Sequence, residues 1–325
     1  MNIAKICKSD NKVIKGLIVI LAKVAFTAVL AKWIINSIDF KSFTNILSSI
    51  TWPFIVWIII ISFIAIAFST LRWKILMRPS KSNFSYIHLL YLTFIAHCYN
   101  MLVPGNITGD VVRALKTSTA TVFLDRLIGM LGLVVIVLCG IIFSYSMLSE
   151  LGLMKYIIVV MLILSLLSIS IFSRRVTRQF SWIGNMLGPF YEKIKVALLS
   201  IQLYRNYYRE IIEAFCATLS SHLLIVTTVY LINMAIGSNA TYLHCLLFVP
   251  VIVLICSLPV TIGGIGLREV CYILLFTQVG VTKEHALGIS LIFFLLLVGW
   301  AIVGAILSVV PMEKILFLKE VKSEY

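Results

Sequence analysis

Charge is scarce in this chain of 325 residues, and negative charge is scarcest. Charged side chains make up 12% of it, with 13 acids against 27 lysines and arginines. A soluble globular domain carries about 25% charged and about 45–50% apolar residues. Here 61% are hydrophobic and the mean hydropathy is +1.07. That balance excludes an ordinary soluble fold and implies a polytopic membrane protein. Catalytic vocabulary is thin too. The five histidines, His88, His97, His222, His244 and His285, form no HExxH and no close pair, and no nucleophile elbow or Ser-His-Asp order occurs. The seven cysteines, Cys7, Cys98, Cys139, Cys216, Cys245, Cys256 and Cys271, include no CxxC. Most lie in apolar runs and read as small buried hydrophobes, not as a metal or disulfide framework. "GGIGLRE" lacks the full GxGxxG and any βαβ context, so no dinucleotide loop is expected. No cofactor, metal or soluble module is expected, because apolar sequence begins by Ile14 and only a short tail follows the last apolar run.

What is present is a series of apolar runs. A helix needs ~20 residues to cross the hydrocarbon. Full spans are predicted at 14–35, 52–71, 119–146, 154–173, 211–236 and 285–310. The first follows a basic end without a clear cleavage site, so it reads as an uncleaved helix. Two further apolar regions are interrupted: 84–117 at "VPGNITG" and 242–281 at "LPVTIGGIG", the latter with a second arm at 267–280 too short to cross.

The net charge of +14 reads as basic loops beside anionic lipid rather than as a nucleic-acid surface. Lys5, Lys8, Lys12 and Lys15 put the N-terminus on the cytoplasmic side, and Lys314, Lys319 and Lys322 put the C-terminus there. Arg72, Lys74, Arg78 and Lys81, and the cluster from Arg174 to Arg209, also fall inside if 84–117 dips in and returns while 242–281 does so from the other face. This predicts an all-α membrane domain over 1–325, with six spans and two re-entrant helical hairpins in an inverted-topology repeat. Residues 14–146 form one half and 154–310 the other. The segment 180–209 between them reads as an amphipathic helix on the cytoplasmic surface. The repeat has independent support: Pro104 is followed by Gly109 and Arg113, and Pro259 by Gly264 and Arg268, at the same offsets.

Irregular backbone survives at membrane depth only inside protein or beside a watery cavity. The two breaks, at Asn100, Pro104 and Pro259, are therefore expected to face a shared cavity. Each precedes a helix start, which presents free N–H groups and a positive dipole end to an anion. Arg113 and Arg268 lie about one turn in, where a phosphate would compensate their charge and suit their forked geometry. Gly105, Gly263 and Gly266, with Gly109 and Gly264, would let backbone approach it. Asp110 and Glu269 could instead pair with Arg268 and Arg113 and only pin the hairpins. Both readings stay open, and they are compatible if the pairs open on binding. Lys23, in the first span, marks either a site with a buried partner or a shifted span whose ammonium snorkels. Asp125 and Arg126 are adjacent and so face different neighbours; a structural role is expected. A packed or interfacial role is expected for His97, with a proton relay as the alternative.

At these breaks the chain resembles the flippase-like transmembrane family, the membrane region of lysylphosphatidylglycerol synthases and its stand-alone relatives. The resemblance rests on Asn100 with Pro104, on Gly109-Asp110 with Arg113, on Pro259 with Gly263-Gly264, Gly266 and Arg268-Glu269, and on Arg72-Trp73 and Asp125-Arg126. It implies movement of a lipid between leaflets of a bacterial cytoplasmic membrane, with anionic phospholipids or polyprenyl-linked intermediates as candidate cargo. The synthases add a soluble aminoacyl-transferase domain, which nothing in these residues resembles, so no enzyme activity is expected. Two alternatives are carried: a scaffold or accessory subunit of envelope lipid or polysaccharide synthesis, and a membrane-embedded lipid-modifying enzyme. Envelope-synthesis enzymes and a second copy of the chain are the candidate protein partners.

Overall fold

The computed structural model describes residues 50–80, 84–102, 119–143, 204, 207–257 and 264–309. Among them are seven α-helices and no strand. They are α1 (Trp52–Met77), α2 (Tyr86–Leu102), α3 (Thr119–Phe143), α4 (Tyr208–Ala235), α5 (Tyr242–Ser257), α6 (Leu267–Phe276) and α7 (Lys283–Val309). Four, α1, α3, α4 and α7, are long and apolar enough to cross a membrane. The chain is thus a multi-pass helical membrane protein. The expected spans 14–35 and 154–173, the first break, residues 258–263 of the second, and most of the 180–209 segment lie outside the described residues, so neither hairpin is described whole.

Each helix follows from its sequence. Thr51 is extended and Pro53 stands in the first turn of α1, where its missing N–H removes no helical bond. One face of α1 exposes Trp52, Val56, Trp57, Ile60 and Ile64. This is the signature of a lipid-facing surface in a chain of this composition. Its other face buries Ile58, Ser62, Ala65 and Ile66 and lies along α4, where Ser221 Oγ donates to the Ala65 carbonyl at 2.9 Å. α1 runs past the expected end at 71 to Met77, because Arg72 and Trp73 are buried by neighbouring helices instead of ending it at the interface. α3 is the central helix of the described set: 61% of its apolar window is buried, against 22% for α1 and for α7.

α6 has 10 residues and closes with a 3₁₀ turn over Thr277–Val279. At 1.5 Å per residue it spans ~15 Å, about half the hydrocarbon thickness. The expectation that the second arm after "LPVTIGGIG" is too short to cross is met. α7 packs on both α6 and α2. Its contact with α2 is backbone to backbone: a Cβ at Gly304 would lie 2.0 Å from the Phe94 carbonyl oxygen. Only glycine permits that approach.

The ends of α1 and α4 that carry Lys74, Arg78 and Arg209 lie together, with Arg78 paired to Glu213 at 2.6 Å. Tyr204, the tail of the 180–209 segment, is fastened here by donating to the Leu76 carbonyl. Burial raises its phenol above the ordinary value, and a hydrogen bond with Thr121 acts the other way.

Candidate functional site

A cavity of ≈ 240 Å³ opens within the bundle. Five helices contribute to its wall: Ser69 and Arg72 from α1, His97 and Asn100 from α2, Asp125, Arg126 and Gly129 from α3, His222 from α4, and Val253 and Ser257 from α5. α2 and α5 are the helices that lead into the two breaks, so the last turns before both breaks meet at one polar space. Asn100 is the candidate site residue that the structure puts on this wall.

Arg72 and Asp125 form the strongest interaction on it. Arg72 Nε donates to Asp125 Oδ1 at 2.6 Å and Nη2 donates to Oδ2 at 2.9 Å, with the residues 8% and 3% exposed. A two-bond fork of this kind is the favourable geometry for an arginine and a carboxylate. It gives Asp125 a partner on a neighbouring helix. Gly129 lies one turn along α3. A Cβ there would sit 3.3 Å from Arg72 Nη1, and its carbonyl accepts from His222 Nε2 at 3.0 Å. Arg72 and His222 therefore flank the same residue.

The second break leads to a different arrangement. Gly264 and Gly266 have φ of +79° and +81°, a left-handed backbone that disfavours side chains. The turn they make lets Glu269 reach back: its Oε2 accepts from the Gly266 N–H at 2.6 Å, capping α6. Its Oε1 accepts from Ser290 Oγ at 3.3 Å. Arg268, 7% exposed, folds over Gly264, where a Cβ would lie 3.1 Å from Nη2, and its guanidinium stands 5.3 Å from the centre of the Phe294 ring. Arg268 is not among the residues lining the cavity; it lies beside Cys256 of α5.

Arg113, Gly109, Gly105, Asp110, Pro104, Gly263, Pro259 and Lys23 lie outside the described residues. Within the described residues no cluster of His, Cys, Asp or Glu could hold a metal ion. Sequence reasoning passed over His222 and Ser69. Their signal was weak: each sits in a short polar cluster on an apolar helix, Ser69 beside Thr70 and His222 beside Ser220 and Ser221, and only the packing of α4 and α1 against α3 turns them toward one space.

The family described as Lysylphosphatidylglycerol synthase TM region matches residues 20–305. The UPF0104 membrane protein PH1989 of Pyrococcus horikoshii is 25% identical over 279 residues, covering 74% of this chain and 81% of that protein. No solved structure matches.

Proposed function

Because the chain belongs to the family of the Lysylphosphatidylglycerol synthase TM region, we propose that it moves a phosphate-bearing lipid between the leaflets of a bacterial cytoplasmic membrane, with both termini on the cytoplasmic side. The cargo would be an anionic phospholipid or a polyprenyl-linked intermediate. The observation that carries this reading is the polar cavity between the last turns of α2 and α5. Polar and charged groups inside a membrane bundle are expensive and mark pathways for polar cargo. A lipid headgroup needs such a space to pass while its chains stay in the bilayer.

In this reading the phosphate is held where the two breaks meet. Arg113 and Arg268 supply forked donors, and the helix starts at Gly109 and Gly264 supply N–H groups. Gly105, Gly263 and Gly266 allow the backbone to approach, while Asp110, Glu269 and Lys23 balance the charge. Exposure of the site to one face and then the other completes the passage. The test is transbilayer movement of fluorescent phospholipid in liposomes carrying the purified protein. Arg113→Ala and Arg268→Ala are each expected to abolish movement while the protein remains folded and inserted. Wild-type movement by either variant would remove the phosphate clamp.

A further inference from the structure

His222 stands on the cavity wall with its hydrogen bonding half made. Its Nε2–H donates to the Gly129 carbonyl, which fixes the proton of a neutral ring on Nε2. Its Nδ1 is buried and has no hydrogen-bond partner among the described residues. Buried polar atoms are normally satisfied, and among the few exceptions in the described residues this one belongs to a residue on the cavity wall.

The charged and titratable groups around it limit the choices. From α1 comes Arg72, from α3 come Asp125 and Arg126, and from α2 comes His97. α5 brings Val253 and Ser257 and no charge, and the charged residues of α7, Lys283 and Glu284, lie with His285 in its first turn. Asp125 is the one acid on the wall among the described residues, and both its oxygens are held by Arg72. A proton on Nδ1 would convert that atom into a donor, but the described residues of the wall present no uncommitted carboxylate to receive it. Arg72, across Gly129, adds like charge. Nδ1 is closed to solvent in this conformation, so the ring edge must open to the cavity before an anionic oxygen there can supply the missing acceptor and the opposite charge together. Proton and anion then strengthen each other's binding by the same factor.

We propose that the cavity takes the phosphate headgroup of a membrane lipid together with one proton, carried on Nδ1 of His222, so that lipid and proton move as a unit. This rests on the reading of the chain as a mover of phosphate-bearing lipid. The groups involved are the phosphate oxygen, which accepts, and the imidazolium, which donates through Nδ1 while Nε2 keeps its bond to Gly129.

The experiment is calorimetric titration of the full chain in nanodiscs with dihexanoyl phosphatidylglycerol, a short polyprenyl phosphate, or inorganic phosphate. Each is run in buffers of different ionisation enthalpy, so that protons taken up per ligand are counted. Wild type is expected to take up about one proton per lipid headgroup near neutral pH, with affinity falling about tenfold per pH unit above that. His222→Gln is expected to bind with no uptake and no pH slope. Lipid binding by wild type without proton uptake overturns the histidine's role and leaves lipid movement standing, as does uptake retained by His222→Gln. If that variant does not fold, the wild-type proton count decides alone. Binding of inorganic phosphate but neither lipid overturns the proposal and the lipid reading beneath it. A folded wild-type protein that binds and moves no phosphate lipid does the same.

Discussion

Two buried arginines among the described residues lie close to acids, and the two sites are built differently. Arg72 and Asp125 come from separate helices 53 residues apart in sequence and meet in a two-bond fork. Arg268 and Glu269 are neighbours on one short helix, where adjacent side chains point apart. There the carboxylate turns back to cap its own helix and to accept from Ser290, while the guanidinium folds over Gly264 and the Phe294 ring. The first site joins two helices at the cavity wall. The second shapes the start of a helix that follows a break. Proximity in sequence thus says little about who neutralises whom.

Breaking the first site should have the largest effect. Asp125→Ala leaves the Arg72 charge buried, and we expect a loss of about 3–5 kcal/mol, read as a lower unfolding midpoint in detergent. Replacing both partners with apolar residues of similar size, Arg72→Met with Asp125→Leu, should recover most of that loss. A double variant as unstable as Asp125→Ala would show that the pair does more than fasten α1 to α3. At the second site, Gly264→Ala imposes a left-handed backbone on a side chain and presses on Arg268. We expect a loss of about 1–2 kcal/mol, accompanied by reduced lipid movement in liposomes. Unchanged movement would separate the turn from the function. Ser290→Ala removes one donor to Glu269 and should lower stability by about 1 kcal/mol, seen as a small shift in the same midpoint. The smallest effect is expected at the solvent-exposed pair: Arg78→Ala, which frees Glu213, should change stability by no more than about 0.5 kcal/mol. A larger loss there would mean that the basic end of the bundle is more enclosed than its exposure implies.

The apolar runs made the spanning helices legible. Expected spans at 52–71, 119–146, 211–236 and 285–310 correspond to Trp52–Met77, Thr119–Phe143, Tyr208–Ala235 and Lys283–Val309. Run length and hydropathy report directly on the cost of leaving water. The end of α1 was misread by six residues because a charge was taken as a boundary, and burial of a charge by a partner from another helix leaves no trace in the local sequence. The break at Gly264 and Gly266 was legible for a similar reason to the spans: glycines between an apolar run and a charged pair mark a turn that other residues resist. Asn100, His97, Arg72, Asp125 and Arg126 stood out in the sequence one by one, but that they share the wall of one cavity did not. Its polar wall draws single residues from five helices, and the choice of helix neighbours depends on side-chain fit over the whole bundle. His222 looks like any packed histidine until Gly129 and Arg72 are set beside it.

The glycine at 304 has a mechanical consequence. With the backbones of α7 and α2 in contact there, no side chain cushions a sliding motion between them. Close-packed interiors transmit displacement instead of absorbing it. The same α7 carries Phe294 under Arg268 and Ser290 against Glu269, while Asn100, on the cavity wall, lies on α2 less than two turns beyond Phe94. α7 thus acts as a connecting rod. The end of α2 and the start of α6 are thereby held by one and the same helix.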